Sequence, residues 1–176
     1  MHRILSILRV IASSASKQST VGAILLVFVT SLYLHGPSIR IGFLADDFAW
    51  NSIGKNTHSA GDLANELVAP RAQGTVCVLS ERLFFYLPPL LLGEHAAKAQ
   101  RFVVLSTMLL GVTLLFLECY ESTASVASST AASLLWVCCP AVGSAMAWLS
   151  LFNQILCALF SPLRIDGFER VAWRSV

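Results

Sequence analysis

Apolar and polar positions fall along this chain in long blocks rather than in a short repeat. The first apolar block runs from Ser19 to Gly36 ("STVGAILLVFVTSLYLHG") and follows a stretch holding His2, Arg3, Arg9 and Lys17 with no acidic residue. Its length approaches the roughly 20 residues that a helix needs to cross a bilayer. A secretory signal peptide would share the basic start, but no small-x-small cleavage pattern follows: Gly36-Pro37-Ser38-Ile39-Arg40 is a poor site. The block therefore reads as an uncleaved helix whose basic N-terminus stays in the cytoplasm. A polar segment over residues 37–82 comes next, containing "LANELVA", where Leu63, Leu67 and Val68 share one helical face behind Ser59-Ala60-Gly61-Asp62. Pro70 closes that helix. "RLFFYLPPLLLG", Arg82 to Gly93, is apolar but too short to span, and its Pro88-Pro89 pair predicts a broken, re-entrant or interfacial segment. Three further apolar runs follow: Phe102–Leu117, Thr123–Cys139, and one from Ala145 to about Phe160–Leu163. The third run of the chain is rich in Ala and Ser, residues that let neighbouring helices approach closely, and Pro140 ends it.

Four crossings from a cytoplasmic N-terminus return the chain to the cytoplasm at a tail bearing Arg164, Arg170 and Arg174, so the charge asymmetry and the count agree. The predicted fold is thus all-α: a polytopic membrane protein with about four transmembrane helices and amphipathic helices in a large first outer loop. Residues 1–18 are its basic N-terminus, 19–163 its membrane unit with the outer loop at 37–101, and 164–176 its cytoplasmic tail. Composition strengthens the reading. The 176 residues are 56% hydrophobic and 12% charged, about half the charge of a soluble domain. The lipid bilayer is therefore the first partner. A net charge of +2, without a basic run interleaved with aromatics, gives no footprint for nucleic acid. The five cysteines, Cys77, Cys119, Cys138, Cys139 and Cys157, show neither a CxxC pair nor zinc-ligand spacing.

The candidate chemistry begins with "GFLADDFAW", residues 42–50, where Asp46 and Asp47 stand between aromatic residues just beyond the first apolar block. One reading is a helix cap, the carboxylate accepting backbone N–H groups at the start of "FAWNSIG". The other is chemical: a carboxylate at the water–lipid boundary can act as general base on an acceptor hydroxyl, or can hold a divalent metal that bridges to phosphate. Among the basic residues of the outer loop, Arg40, Arg71, Arg82, Lys98 and Arg101 read chiefly as snorkelling anchors. A guanidinium also suits bidentate phosphate binding, and Arg82, which opens the apolar segment beside Glu81, is the strongest candidate. His58 and His95 read as surface residues, and Asn153-Gln154 as partners for interhelical hydrogen bonds.

Taken in order, a basic N-terminus, one span and "FLADDF" at its outer exit resemble the GT-C superfamily of integral-membrane glycosyltransferases, including protein O-mannosyltransferase-like and bacterial polyprenyl-phosphate-dependent sugar transferases. "ERLFFYLPPLLLGEHAAKAQRFVVLSTMLLG" looks like that superfamily's amphipathic segment, Gly turn and second span. "AASLLWVCCPAVGSAMAWLSLFNQILCALF" looks like its next hairpin, with Pro140 at the turn. Cys139, Ser144 and Leu83 depart from residues common in the related mannosyltransferases. The resemblance implies sugar transfer from a polyprenyl-phosphate-linked donor to an acceptor on the outer face of a bacterial plasma membrane. Asp46 would be the first choice for the catalytic or metal-coordinating acid and Asp47 the second, with Arg82 and Arg40 on the phosphate; no cofactor beyond that divalent metal is implied. Family members carry further spans, so the resemblance also implies a truncated N-terminal piece and leaves open whether that piece is active on its own. The alternative is a small non-enzymatic four-helix membrane protein, an accessory subunit or scaffold, with the aspartates as a cap. A transporter fits less well, because no ionisable residue sits in the middle of a predicted span.

Overall fold

The computed structural model describes residues 14–44, 47–50, 59–68 and 82–160. Among them the regular structure is entirely helical. Helix α1 (Ser14–His35) runs into a 3₁₀ turn, Gly36–Arg40. Then come α2 (Ala60–Val68), α3 (Phe84–Leu92), α4 (Ala96–Thr123), α5 (Val126–Val137), α6 (Pro140–Ala147) and α7 (Leu149–Phe160). The basic N-terminal residues 1–13 and the tail after Phe160 lie outside the described residues.

Two of these helices are long and apolar enough to cross a membrane: α1, extended by its 3₁₀ turn to Arg40, and the 28-residue α4. The latter spans about 42 Å at 1.5 Å per residue. A third crossing exists if α5 and α6, which meet at a 50° bend, are one broken span. The fourth run forms only α7, which at about 18 Å is shorter than a crossing requires. Of the four expected spans, the described residues thus supply two, or three with the bent pair.

Helix α1 shows how a sequence apolar on every side still selects one packing face. Thr20, Val27, Ser31 and His35 are buried, while Val21, Leu25, Leu26, Val29, Leu32 and Tyr33 face outward. The buried positions are small or polar and the outer ones large and aliphatic, the arrangement expected when lipid covers the outside. The Ser31 hydroxyl is satisfied inside its own helix by donating to the Val27 carbonyl at 2.7 Å. Opposite it, α5 buries Ser129, Ser133 and Val137 at four-residue spacing, so the small-residue approach expected of the third run is realised. Helix α4 packs along α5 and α3, and its Val104, Leu105 and Met108 join Phe84, Phe85, Val142, Met146, Leu149, Phe152 and Ile155 in the main core.

The turns follow their residue chemistry. Gly93, at φ +51°, closes α3 by donating its N–H to Pro89 and opens the way to α4. Ser125 caps α5 by accepting the Ser128 N–H. Ser59, which precedes the predicted helix, caps α2 by accepting the Asp62 N–H at 3.1 Å. Pro140 does stop the third run, and it does so as the first residue of α6, where its missing N–H costs nothing.

Pro88 and Pro89 do not break their helix: α3 is continuous through both. Pro88 cannot donate to the carbonyl of Phe84 four residues earlier. The buried Gln100 of α4 makes up the loss, its Nε2 donating to that carbonyl at 2.8 Å. A side chain from the neighbouring helix thus replaces the missing backbone donor. At nine residues, α3 remains too short to span, as expected.

Candidate functional site

The acidic motif follows directly on α1. After the 3₁₀ turn the chain runs extended through residues 41–44 and turns helical again at 47–50. Asp47 closes this turn in both directions. Its N–H donates to the Leu44 carbonyl at 2.8 Å, and its Oδ2 accepts the Leu44 N–H at 3.0 Å. This is the acidic half of a capping box, with Leu44 at the N-cap.

The same carboxylate reaches across the bundle. Oδ1 accepts the Ser150 N–H at 2.9 Å, and Oδ2 lies 3.7 Å from Nη2 of Arg101. Both side chains are withdrawn from solvent, Asp47 at 0% and Arg101 at 1% exposure. Two of the three guanidinium nitrogens of Arg101 meet carbonyls: Nη1 donates to Met146 at 2.8 Å and Ala147 at 2.6 Å, and Nη2 donates to Gly42 at 2.8 Å, while Nε is buried without a hydrogen-bond partner among the described residues.

These partners have a common logic. Met146 and Ala147 end α6, where carbonyls lack helical donors; Ser150 lies in the first turn of α7, where N–H groups lack acceptors. The cation therefore meets the negative end of one helix dipole and the anion the positive end of the next. The ion pair is inserted at the break between two short helices and ties that break to the extended residues 42–44.

Trp50, in the same turn as Asp47, stacks on Phe85 with ring centroids 6.2 Å apart. The guanidinium carbon of Arg82 sits 5.5 Å from the Trp50 ring centroid, and Arg82 is 1% exposed. The helical residues 47–50 thus bring two of the expected site residues, Asp47 and Arg82, against one short segment. Arg40 is exposed at the end of its 3₁₀ turn. Asp46, His58, Arg71, Cys77 and Glu81 lie outside the described residues; His95 is exposed. The Asn153 Oδ1 is buried without a hydrogen-bond partner among the described residues, and Gln154 is exposed.

Two residues that organise the site are Gln100, which no motif marks, and Arg101, whose place among the outer-loop basic residues suggests a snorkelling anchor rather than a buried cation. The signal lies in the helical register. Arg101 precedes Val104, Leu105, Met108 and Val112 by three, four, seven and eleven positions, all on the buried face of α4. A cation on an apolar stripe is a buried cation, and it needs acceptors.

Among the described residues no group of three or more His, Cys, Asp and Glu side chains converges on a point. Asp47, the second choice for a metal ligand, has both oxygens accepting N–H bonds beside a guanidinium, surroundings that disfavour a second cation. The described donor set does not fit a divalent ion. Comparison with known proteins finds no matching family model, no matching curated protein and no matching solved structure.

Proposed function

We propose that this chain is a membrane-embedded sugar transferase of GT-C type, acting on a polyprenyl-phosphate-linked donor at the outer face of a bacterial plasma membrane. The observation that carries the reading is the clamp on Asp47. One member of the acidic pair that follows α1, Asp47, is held to the bundle, and in this reading the reaction falls to its neighbour. In this reading Asp46 is the general base that takes the proton of the acceptor hydroxyl, and Asp47 is its positioning residue. Arg82, stacked on Trp50 beside the motif, and Arg40, at the exit of α1, bind the phosphate of the leaving lipid. The N-terminus is cytoplasmic, α1 leads outward, α4 returns inward, and α5–α6 form a further, broken crossing.

The test is transfer of radiolabelled sugar from polyprenyl-phosphate donors by the purified chain in liposomes. Asp46→Asn abolishes transfer and leaves thermal stability unchanged, whereas Asp47→Asn lowers stability and transfer together. Transfer that survives Asp46→Asn overturns the assignment. A second reading, a non-enzymatic helical scaffold, draws support from the complete engagement of Asp47 in capping and pairing. An intact, membrane-inserted protein that transfers sugar from no donor favours that one.

A further inference from the structure

Two neighbouring cysteines form the break between α5 and α6. Cys138 ends α5 as its C-cap, and Cys139 precedes Pro140 as the N-cap of α6. Both are exposed, and neither is in a disulfide. Their backbone is pinned on either side. The Cys138 N–H donates to the Leu134 carbonyl at 2.9 Å, and the Cys139 N–H donates to that of Trp136 at 3.1 Å. The Cys139 carbonyl accepts from Val142 at 3.0 Å and from Gly143 at 3.2 Å. Pro140 adds its own constraint, holding Cys139 extended at φ −64° and ψ 129°.

Adjacency keeps the two thiols open. Consecutive Cα atoms lie about 3.8 Å apart, whereas a disulfide asks for roughly 4.4–6.8 Å between them. The pair therefore closes on itself only against its own backbone, and both sulfurs stay available to a third party.

We infer that Cys138 and Cys139 are a two-thiolate site for a soft monovalent cation of the copper(I) class. Thiolate sulfur selects soft ions. Structural zinc and iron–sulfur centres call for about four ligands. Among the described residues no group of three or more His, Cys, Asp and Glu side chains is placed to share one ion. A closed-shell monovalent ion is satisfied by two sulfurs. With metal–sulfur bonds of about 2.3 Å, as in zinc thiolates, a linear unit holds the sulfurs about 4.6 Å apart. Exposed side chains on adjacent residues meet that span by rotation about χ1. Binding involves no electron transfer: two metal–sulfur bonds form, two thiol protons go to solvent, and the complex carries one negative charge. Cys139, at the N-terminus of α6, puts that charge where the helix dipole favours an anion. The site shares no residue with the Asp47–Arg101 clamp and does not rest on sugar transfer.

The experiment uses the full chain in detergent without oxygen, with copper(I) supplied in competition with the chromogenic chelator bicinchoninate. The chain withdraws one copper(I) from the chelator, and X-ray absorption at the copper edge finds two sulfur neighbours. Cys138→Ser and Cys139→Ser each abolish that withdrawal. Both side chains are exposed, so the unfolding midpoint of either copper-free variant stays that of wild type. A chain in which Cys77, Cys119 and Cys157 are serine keeps the site. Phenylarsine oxide, which condenses with two neighbouring thiols and releases water, adds once to wild type and to neither single variant. Withdrawal that survives either substitution overturns the inference, as do three or more sulfur or nitrogen neighbours, or no withdrawal by wild type.

Discussion

Asp47 and Arg101 form a buried ion pair, 3.7 Å apart, across the break between α6 and α7. Each partner also serves a helix end, so the pair acts as a bolt rather than as an isolated bridge. Removing one member of a buried pair leaves an unmatched charge and costs about 3–5 kcal/mol. Asp47→Ala additionally frees the Leu44 and Ser150 N–H groups, and Arg101→Met frees three carbonyls. Each single variant should lower the thermal unfolding midpoint in detergent strongly. The double variant should cost clearly less than the sum of the two, and a double-mutant cycle measures that coupling. Simple additivity would mean that the two groups do not act on each other.

The bolt also shows what was legible in the sequence. The α1 and α4 crossings, the Ser59 cap, the turn at Gly93 and the close packing of α5 each depend on residues near one another in the chain, where spacing and residue type speak directly. A helix-start role for Asp47 was legible, but not its partners: the expected cap accepts N–H groups ahead of the Asp, whereas Asp47 accepts the Leu44 N–H behind it and the Ser150 N–H across the bundle. Its pairing with Arg101 was not legible either, because 54 positions of sequence separate the two and only the fold brings them together. The count of crossings was equally hard to read, because α6 and α7 are apolar fragments whose composition matches that of a continuous span.

Gln100 tests whether the proline pair in α3 is tolerated for the reason argued above. Gln100→Leu removes the donor that the Phe84 carbonyl has in place of a backbone N–H. An orphaned buried acceptor costs about 1–3 kcal/mol. Pro88→Ala restores a backbone N–H at that position of the helix, so it should make Gln100→Leu markedly milder. If Gln100→Leu is as damaging in the Pro88→Ala background as in the wild-type chain, the two sites are not coupled through the Phe84 carbonyl.

The arginines divide by environment. Arg82 is buried against Trp50, so Arg82→Ala should destabilise the protein by about 0.5–2 kcal/mol for the lost cation–π contact, with lost packing in addition. Arg40 is exposed, and Arg40→Ala should stay within about 0.5 kcal/mol of wild type. Thermal unfolding of the two variants side by side decides. A stable Arg82→Ala protein would show that the guanidinium contributes nothing to the packing and would leave ligand binding as its role.

The proposed sidedness can be tested at the helix ends. Helices α4 and α5 are joined through a turn at Ala124, where the backbone is left-handed at φ +52°. Ser122, beside that turn, and Cys138, beyond the far end of α5, are both exposed. With a cytoplasmic N-terminus, α1 leads outward and α4 returns inward, which puts Ser122 on the inside. Helix α5 then runs back toward the end of α1, where Val137 meets His35. His35 and Val137, joined by their hydrogen bond, mark the outer level that the two helix ends share. In a chain whose other four cysteines are replaced by serine, Cys138 should react with a membrane-impermeant maleimide on intact cells. In a cysteine-free chain carrying Ser122→Cys, reaction should require permeabilised membranes. The opposite pattern would invert the orientation. It would also place the Asp46–Asp47 motif, which follows the outer end of α1, on the cytoplasmic side, where an acceptor on the outer face is out of reach.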